Sequence, residues 1–366
     1  MNEDFLKSKL ADRTASNSLR SLRRPELPVD FCSNDYLGIV KNQLIEKRAP
    51  GLLSHGSTGS RLLSGNYLLI ESTQTAIADF HQSPAGLIFN SGYDANTGLL
   101  SAVPQRGDGI IYDQLSHASI RDGIRLSFAT SYSFLHNDLA DLEKKLAASA
   151  GIHPNTFVVT ESVFSMDGDL APLKGIATLC DQYNASLIID EAHATGIIGN
   201  KGEGLVQHLG LQEKCFARVH TFGKACGCHG AIVLGSKLLK QYLINFSRQF
   251  IYSTSLPPAS VVAMEASYQI FPLLQEERKH LLHLIASFRR GTLRYSVGQS
   301  NTPIQIVIIP GNDEVKKVAE SLQAHGLDVR AILYPTVPKG KERLRIVFHA
   351  FNSEVEVEKL ISVLSR

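Results

Sequence analysis

The sequence predicts an α/β fold, with a large domain on a mostly parallel sheet and a smaller α/β lobe after it. Three observations carry that expectation. Short β-branched strands alternate with helical stretches from about Ser33 to Pro258, the pattern of a parallel sheet covered on both faces. At 366 residues the chain outgrows a single small core, and it suits two units at roughly 100–200 residues each. Hydrophobic residues make up 43% and charged residues 20%, which excludes a disordered chain. The expected division is an N-terminal arm (1–33), a large domain (34–258) and a C-terminal α/β domain (259–366).

The elements follow in order. The first thirty residues read as a polar, Arg-rich helix and a connector that Pro25 and Pro28 interrupt. Leu87–Asn90, Ile110–Tyr112, Thr156–Thr160, Leu187–Asp190, Arg218–Thr221 and Ala231–Leu234 are short apolar runs with strand composition. Between them, Asp138–Ser149 and Leu173–Tyr183 carry helical periodicity. From Pro258 one long helical pattern runs to about Leu293. A strand at Gln305–Ile309, a helix around Asp313–His325, a strand at Leu344–Phe348 and a last helix from Glu354 complete the smaller lobe.

Charge and cysteine usage narrow the setting. Lys and Arg total 37 against 35 Asp and Glu, a formal net charge of +2, so nothing points to nucleic acid or a polybasic membrane surface. Five scattered cysteines (Cys32, Cys180, Cys215, Cys226, Cys228) are an odd number in a long chain, which argues for a reducing compartment rather than a disulfide framework. Met1–Leu10 lacks an apolar signal core and no apolar run has membrane-spanning length. The expected setting is the cytoplasm, with no membrane.

Several generic motifs are absent. No Gly-x-Gly-x-x-Gly follows a strand, Gly223-Lys224 lacks the other positions of a phosphate loop, and no Ser is flanked by glycines at −2 and +2. Cys226-x-Cys228-His229 lacks metal-ligand spacing and a second ligand pair, so no metal is expected. Small residues packed beside a tight turn explain it better.

Two strand ends carry chemistry. Leu187-Ile188-Ile189 ends in Asp190-Glu191-Ala192-His193, and ligands of α/β sheets bind beyond the carboxyl ends of strands. An Asp there is costly unless it meets a positive group, although it would also serve as a helix cap or an Arg partner. Val219-His220-Thr221-Phe222-Gly223-Lys224 places a lone lysine in a turn bracketed by Gly223 and Gly227. Partial burial there favours the neutral amine that Schiff-base chemistry needs; taken alone, Lys224 is equally well a surface residue. Together they suit pyridoxal phosphate, which takes a lysine and a carboxylate for its ring nitrogen. Asn90-Ser91-Gly92-Tyr93 opens a helix where an anion can sit. Thr221 adds a hydroxyl, and His117 in Ser116-His117-Ala118-Ser119 adds an imidazole for the ring face.

These residues fall within a longer set. It comprises Ser33-Asn34-Asp35-Tyr36-Leu37-Gly38, Asn90-Ser91-Gly92-Tyr93, Ser116-His117-Ala118-Ser119, Glu161-Ser162-Val163-Phe164-Ser165-Met166-Asp167-Gly168, Asp190-Glu191-Ala192-His193, Thr221-Phe222-Gly223-Lys224 and Tyr252-Ser253-Thr254-Ser255-Leu256-Pro257-Pro258. In this order the chain resembles, nearly end to end, the α-oxoamine synthases, fold-type-I pyridoxal phosphate enzymes that join an amino acid to an acyl thioester. The resemblance implies an aspartate-aminotransferase-like fold with a seven-stranded type of sheet, and a homodimer with shared active sites.

It also implies roles. Lys224 forms the Schiff base and transfers protons at the amino acid Cα. Asp190 pairs with the ring nitrogen, His117 stacks on the ring, and His193 and Ser165 meet its phenolic oxygen. The amides of Gly92 and Tyr93, with Thr221, hold the phosphate, and Ser253 and Thr254 reach it from the other subunit. Arg345, with Asn34 from the partner, holds the substrate carboxylate, while Arg20 and Thr336 belong to the acyl-substrate side. Pro335-Thr336-Val337-Pro338 followed by Arg343-Leu344-Arg345 is most similar to biotin-pathway members, which condense L-alanine with a pimeloyl thioester of coenzyme A or acyl carrier protein. The alternatives are glycine C-acetyltransferase, serine palmitoyltransferase and a catalytically silent member. One departure stands out: Leu333 occupies a place where biotin-pathway members carry an arginine.

Overall fold

Consecutive apolar residues in the central strands point to opposite faces of a sheet, and both faces are buried. Ile188 packs with Leu99, Ile120 and Val219 on one side, while Leu187 and Ile189 pack with Ile176, Val158 and Val206 on the other. That is the signature of a parallel sheet sandwiched by helices. The computed structural model describes residues 3–22, 27–49, 51 and 54–366; Pro25 lies outside them.

The larger of two compact units comprises Leu37–Ser165 and Leu170–Glu276. Its strands are β1 (Ala85–Phe89), β2 (Gly109–Asp113), β3 (Thr130–Phe134), β4 (Thr156–Glu161), β5 (Ser186–Asp190), β6 (Cys215–Thr221) and β7 (Ala231–Gly235). They form one seven-stranded sheet in the order β1-β7-β6-β5-β4-β2-β3. The strands β2 to β6 pair in parallel. β7 alone runs antiparallel, to β1 and to β6. Helices α1 (Gly92–Ala102) and α2 (Ala118–Leu126) contribute to one apolar layer, and α3 (Leu139–Ser149) and α4 (Leu173–Gln182) to the other.

β3 is the strand of the seven-stranded sheet that periodicity misses. Its Thr-Ser-Tyr-Ser-Phe sequence is exposed at its first four positions, because an edge strand has no core to fill on both faces. The long helix expected from Pro258 is two. α5 (Pro258–Ile270) ends in a 3-10 turn, Phe271–Leu273, before α6 (Gln275–Arg290). Pro272 in that turn has no N–H to continue the ladder and crowds the preceding turn.

The smaller unit comprises Met1–Tyr36, Met166–Asp169 and Glu277–Arg366. Its antiparallel sheet has β8 (Ser296–Val297), β9 (Ile304–Ile308), β10 (Arg330–Ile332) and β11 (Arg343–Val347) in the order β10-β11-β9-β8. Val29–Asp30 adds a short parallel pairing with Leu327–Asp328. α7 (Asn312–Ala324) and α8 (Glu354–Leu364) complete it, and a Ser353/Glu356 capping box opens α8. The Met166–Asp169 segment is held here by Gly168, whose carbonyl accepts from the hydroxyls of Ser300 and Thr302, each at 2.8 Å.

Candidate active site

Parallel strands put their carboxyl ends on one edge of the sheet, where crossovers leave room for a ligand. Three adjacent strands deliver polar side chains there: β4 ends in Glu161, β5 in Asp190 and β6 in Thr221. Glu161 and Asp190 are register partners. β1 points the same way and leads through Asn90-Ser91 into α1. A cavity of about 250 Å³ opens at this edge, below the ~300–1,000 Å³ typical of clefts for drug-sized ligands. Gly92, Tyr93, His117, Asp190, His193, Thr221 and Lys224, all expected from the sequence, line it.

Local sequence explains each placement. Ser91 caps α1 by accepting from the Asp94 amide, leaving the first-turn amides of Gly92 and Tyr93 without carbonyls four residues back to donate to. Gly92 is required: a Cβ there would stand 2.4 Å from Thr221 Cγ2. Lys224 follows β6 in a turn closed by Gly227 N–H donating to the Lys224 carbonyl (2.8 Å) and Cys228 N–H donating to the Phe222 carbonyl (2.9 Å). Gly227 has φ +63°, and a Cβ on it would meet Ile39 Cγ2 at 2.7 Å. The half-buried Lys224 places Nζ 3.5 Å from Thr221 Oγ1. Cys226 is fully buried beside this turn, its carbonyl accepting from Ser267 Oγ at 2.6 Å. Burial pushes its thiol up to about 12, the behaviour of a packing residue.

Asp190 is buried, yet both of its oxygens are met. Oδ1 accepts from the Ala192 amide at 2.8 Å and Oδ2 from Asn96 Nδ2 at 2.7 Å. His117 caps α2, and burial pulls its imidazole below the ordinary value, with the nearby Asp190 charge acting the other way. Glu161 accepts from the His117 amide at 2.6 Å. Burial, and then the charge of Asp190, push the Glu161 carboxyl well up.

Among the polar lining residues, Asn96, Ser119, Glu161 and His229 have no individual role expected from the sequence. Asn96 stands one helical turn after Gly92, on the same face of α1, which is the signal that finds it. Glu161 ends a strand beside the Asp190 strand. His229 stands out in the sequence only beside the Cys226-x-Cys228 pair.

The remaining candidates lie elsewhere. Ser165 does not line the cavity. Ser253 and Thr254 line a smaller one with Arg61 and Phe250, where Asn90 Nδ2 donates to the Thr254 carbonyl at 2.9 Å. Asn34, Arg345, Arg20 and Thr336 belong to the smaller unit and form two pairs. Arg345 Nη2 donates to Asn34 Oδ1 (3.1 Å) and Arg20 Nη2 to Thr336 Oγ1 (3.0 Å). Asn34 and Arg345 thus meet within one chain. The backbone dictates this, since Val347 N–H donates to the Phe31 carbonyl and Ala350 N–H to the Tyr36 carbonyl. Leu333 lines a cavity of about 950 Å³ in the same unit, together with Arg20, Lys316 and Arg330.

The donor set fits pyridoxal phosphate: a lysine amine, a buried carboxylate, an imidazole, and a glycine that lets a helix N-terminus come close. Known proteins agree with this chemistry. The sequence matches the family described as aminotransferase class I and II over residues 28–364. The 8-amino-7-oxononanoate synthase of Emericella nidulans is 41% identical, with 93% of this chain and 89% of that protein covered. The enzyme of the same name from Pseudomonas putida is 39% identical, with 98% and 96% covered. Serine palmitoyltransferase from S. paucimobilis with a bound PLP–myriocin aldimine superposes with a TM-score of 0.88 at 25% identity, covering 99% of this chain and 96% of that one. The 8-amino-7-oxononanoate synthase of Francisella tularensis gives 0.77 at 25% identity, covering 93% and 98%. The chain therefore belongs to the class I and II aminotransferase family and, within it, to the α-oxoamine synthases, with the fold-type-I architecture.

Proposed function

We propose that this chain is an 8-amino-7-oxononanoate synthase of biotin biosynthesis, a pyridoxal phosphate-dependent acyltransferase that condenses L-alanine with a pimeloyl thioester. The alanine carboxylate leaves as carbon dioxide and the thiol carrier is released. The observation that carries the reading is the convergence of Lys224, Asp190 and His117 on one cavity. Curated relatives of that name, 39–41% identical over most of the chain, support the choice of substrates.

Bound in this cavity, pyridoxal phosphate supplies an electron sink for charge developing at the amino acid Cα. Lys224 would hold the cofactor through its amine and would move the proton at Cα. Asp190 keeps a proton on the ring nitrogen, and His117 packs on the ring. His193, which lines the cavity, serves its phenolic oxygen. The Gly92 and Tyr93 amides and the Thr221 hydroxyl hold the phosphate. Arg345, oriented by Asn34, takes the alanine carboxylate, because a planar guanidinium matches a carboxylate bidentately. Arg20 and Thr336 serve the acyl chain. The reading extends to a cytoplasmic homodimer in which Ser253 and Thr254 reach the phosphate of the neighbouring subunit's site.

A substrate matrix tests it. L-alanine, glycine and L-serine are each offered with pimeloyl, acetyl and palmitoyl thioesters, and thiol release is followed. Alanine with a pimeloyl donor is expected to be fastest. Faster turnover of glycine with acetyl-coenzyme A, or of serine with palmitoyl-coenzyme A, which Leu333 in place of an arginine would favour, overturns the assignment.

A further inference from the structure

The cavity contains a chain of hydrogen bonds whose direction is fixed at one end. Asn96 Nδ2 donates to Asp190 Oδ2 at 2.7 Å and to Ser119 Oγ at 3.0 Å. A carboxylate only accepts, so the amide nitrogen must face it, and the same nitrogen gives its second proton to Ser119. Ser119 Oγ, now an acceptor from Asn96, has one proton of its own, and His117 Nδ1 lies 2.8 Å away. The Ser119 backbone N–H also donates to that Nδ1, at 3.2 Å. A backbone N–H cannot accept, so two donors converge on the Nδ1 lone pair. Asn96 and Ser119 are both buried, which shields the chain from competing water.

We propose that Asn96 and Ser119 are positioning residues that hold His117 as the neutral imidazole with its single proton on Nε2. Protonation at Nδ1 would set an N–H against the Ser119 amide and place a cation at the positive end of α2, which His117 caps. The charged groups around the ring are divided: Asp190 and Asp122 favour the imidazolium, Lys224 and Arg121 oppose it, and burial outweighs each of them. Glu161 meets His117 through the main chain, accepting from its N–H. The consequence for the reaction, which rests on the cavity being the cofactor site, is that an uncharged ring can lie against a protonated pyridine ring without like-charge repulsion.

The test is histidine-selective ¹⁵N labelling of the full-length protein, with long-range ¹H–¹⁵N spectra from pH 6 to 9 in the presence and absence of pyridoxal phosphate. His117→Gln assigns the signal. The wild type is expected to show a protonated Nε2 and an accepting Nδ1 across the range. Ser119→Ala and Asn96→Ala should move both nitrogens toward tautomer-averaged shifts and raise the titration midpoint by roughly one pH unit, a tenfold change in proton affinity. Ser119→Thr, which keeps the hydroxyl, should restore the wild-type pattern. An Nδ1-protonated ring or an imidazolium at pH 7 in the wild type overturns the proposal, as does a Ser119→Ala spectrum identical to wild type. Should Asn96→Ala not fold, the wild-type tautomer and the Ser119 pair still decide. Absence of a visible cofactor band would instead count against the proposed function, and the ring shifts of the cofactor-free protein would still answer the tautomer question.

Discussion

Lys224 and Glu191 show how far a single residue's setting determines what it does. Lys224 lines the cavity with Asp190 and His117 within the same small volume, and a covalent bond from its amine would shift the cofactor's absorbance. Lys224→Ala should therefore lose that band and all measurable turnover; a band that survives the substitution removes Lys224 from the role. Glu191, one residue past Asp190, is fully buried and accepts from the Val206 amide at 3.2 Å. Burial pushes its carboxyl up from 4.5 to about 7, against the pull of its hydrogen bonds from Ser162 and Val206. A carboxyl raised on folding binds its proton more tightly in the native state. Its contribution to stability is thus complete below pH 4.5 and lost as pH rises through about 7. Glu191→Gln keeps the shape without the titration. Relative to wild type it should gain on the order of 1–3 kcal/mol between pH 5 and pH 8, measured by denaturant unfolding at both values. An unchanged difference between the two proteins would mean that Glu191 does not titrate in this window.

At the level of elements, the junction of α1 with β6 leaves no room for one more methyl group. A methyl group on Gly92 would press on Thr221 Cγ2, so either the helix N-terminus or the threonine has to move, and both are assigned to the phosphate. Gly92→Ala should weaken pyridoxal phosphate binding by roughly tenfold or more, about 1.4 kcal/mol. Adding Thr221→Ser, which removes that methyl and keeps the hydroxyl, should recover most of the loss. Equal affinities of Gly92→Ala and wild type, followed by absorbance titration, would falsify the close-approach argument. Elements buried on both faces were legible because their sequences are uniformly apolar: Leu187-Ile188-Ile189 marked its strand and the site at its end. Thr130–Phe134 was not, since this Thr-Ser-Tyr-Ser-Phe edge strand is exposed at its first four positions and has no apolar run to mark it. The Asn96–Ser119 link was hidden for another reason. Asn96 stands in no motif of the sequence and Ser119 has no role of its own within Ser116-His117-Ala118-Ser119, and only the packing of α1 against α2 brings them to 3.0 Å. The long helix after Pro258 was misjudged because apolar periodicity continues across Pro272 while the backbone ladder does not.

Across the whole molecule, the cofactor residues and the proposed substrate arginines belong to different compact units. A formal net charge of only +2 is compatible with anionic ligands, because each anion meets local donors and no global field is needed. The division also predicts separable defects. Arg345 lies on β11, half-buried, with Nη2 bound to Asn34 Oδ1, whereas every residue that lines the cofactor cavity lies in the other unit. Removing a guanidinium that pairs with a carboxylate costs a charge-assisted, two-pronged contact, roughly 3 kcal/mol or about 100-fold in binding. Arg345→Ala should accordingly raise the KM for alanine by about that factor, with cofactor absorbance and its titration unchanged. Arg345→Lys should recover only part of the loss, because an ammonium is a point charge without the planar fork. Asn34→Ala, which leaves the guanidinium in place but frees its orientation, should give an intermediate KM. If Arg345→Ala instead bleaches the cofactor band and leaves KM alone, the carboxylate is held by another group and Arg345 belongs to the cofactor's support.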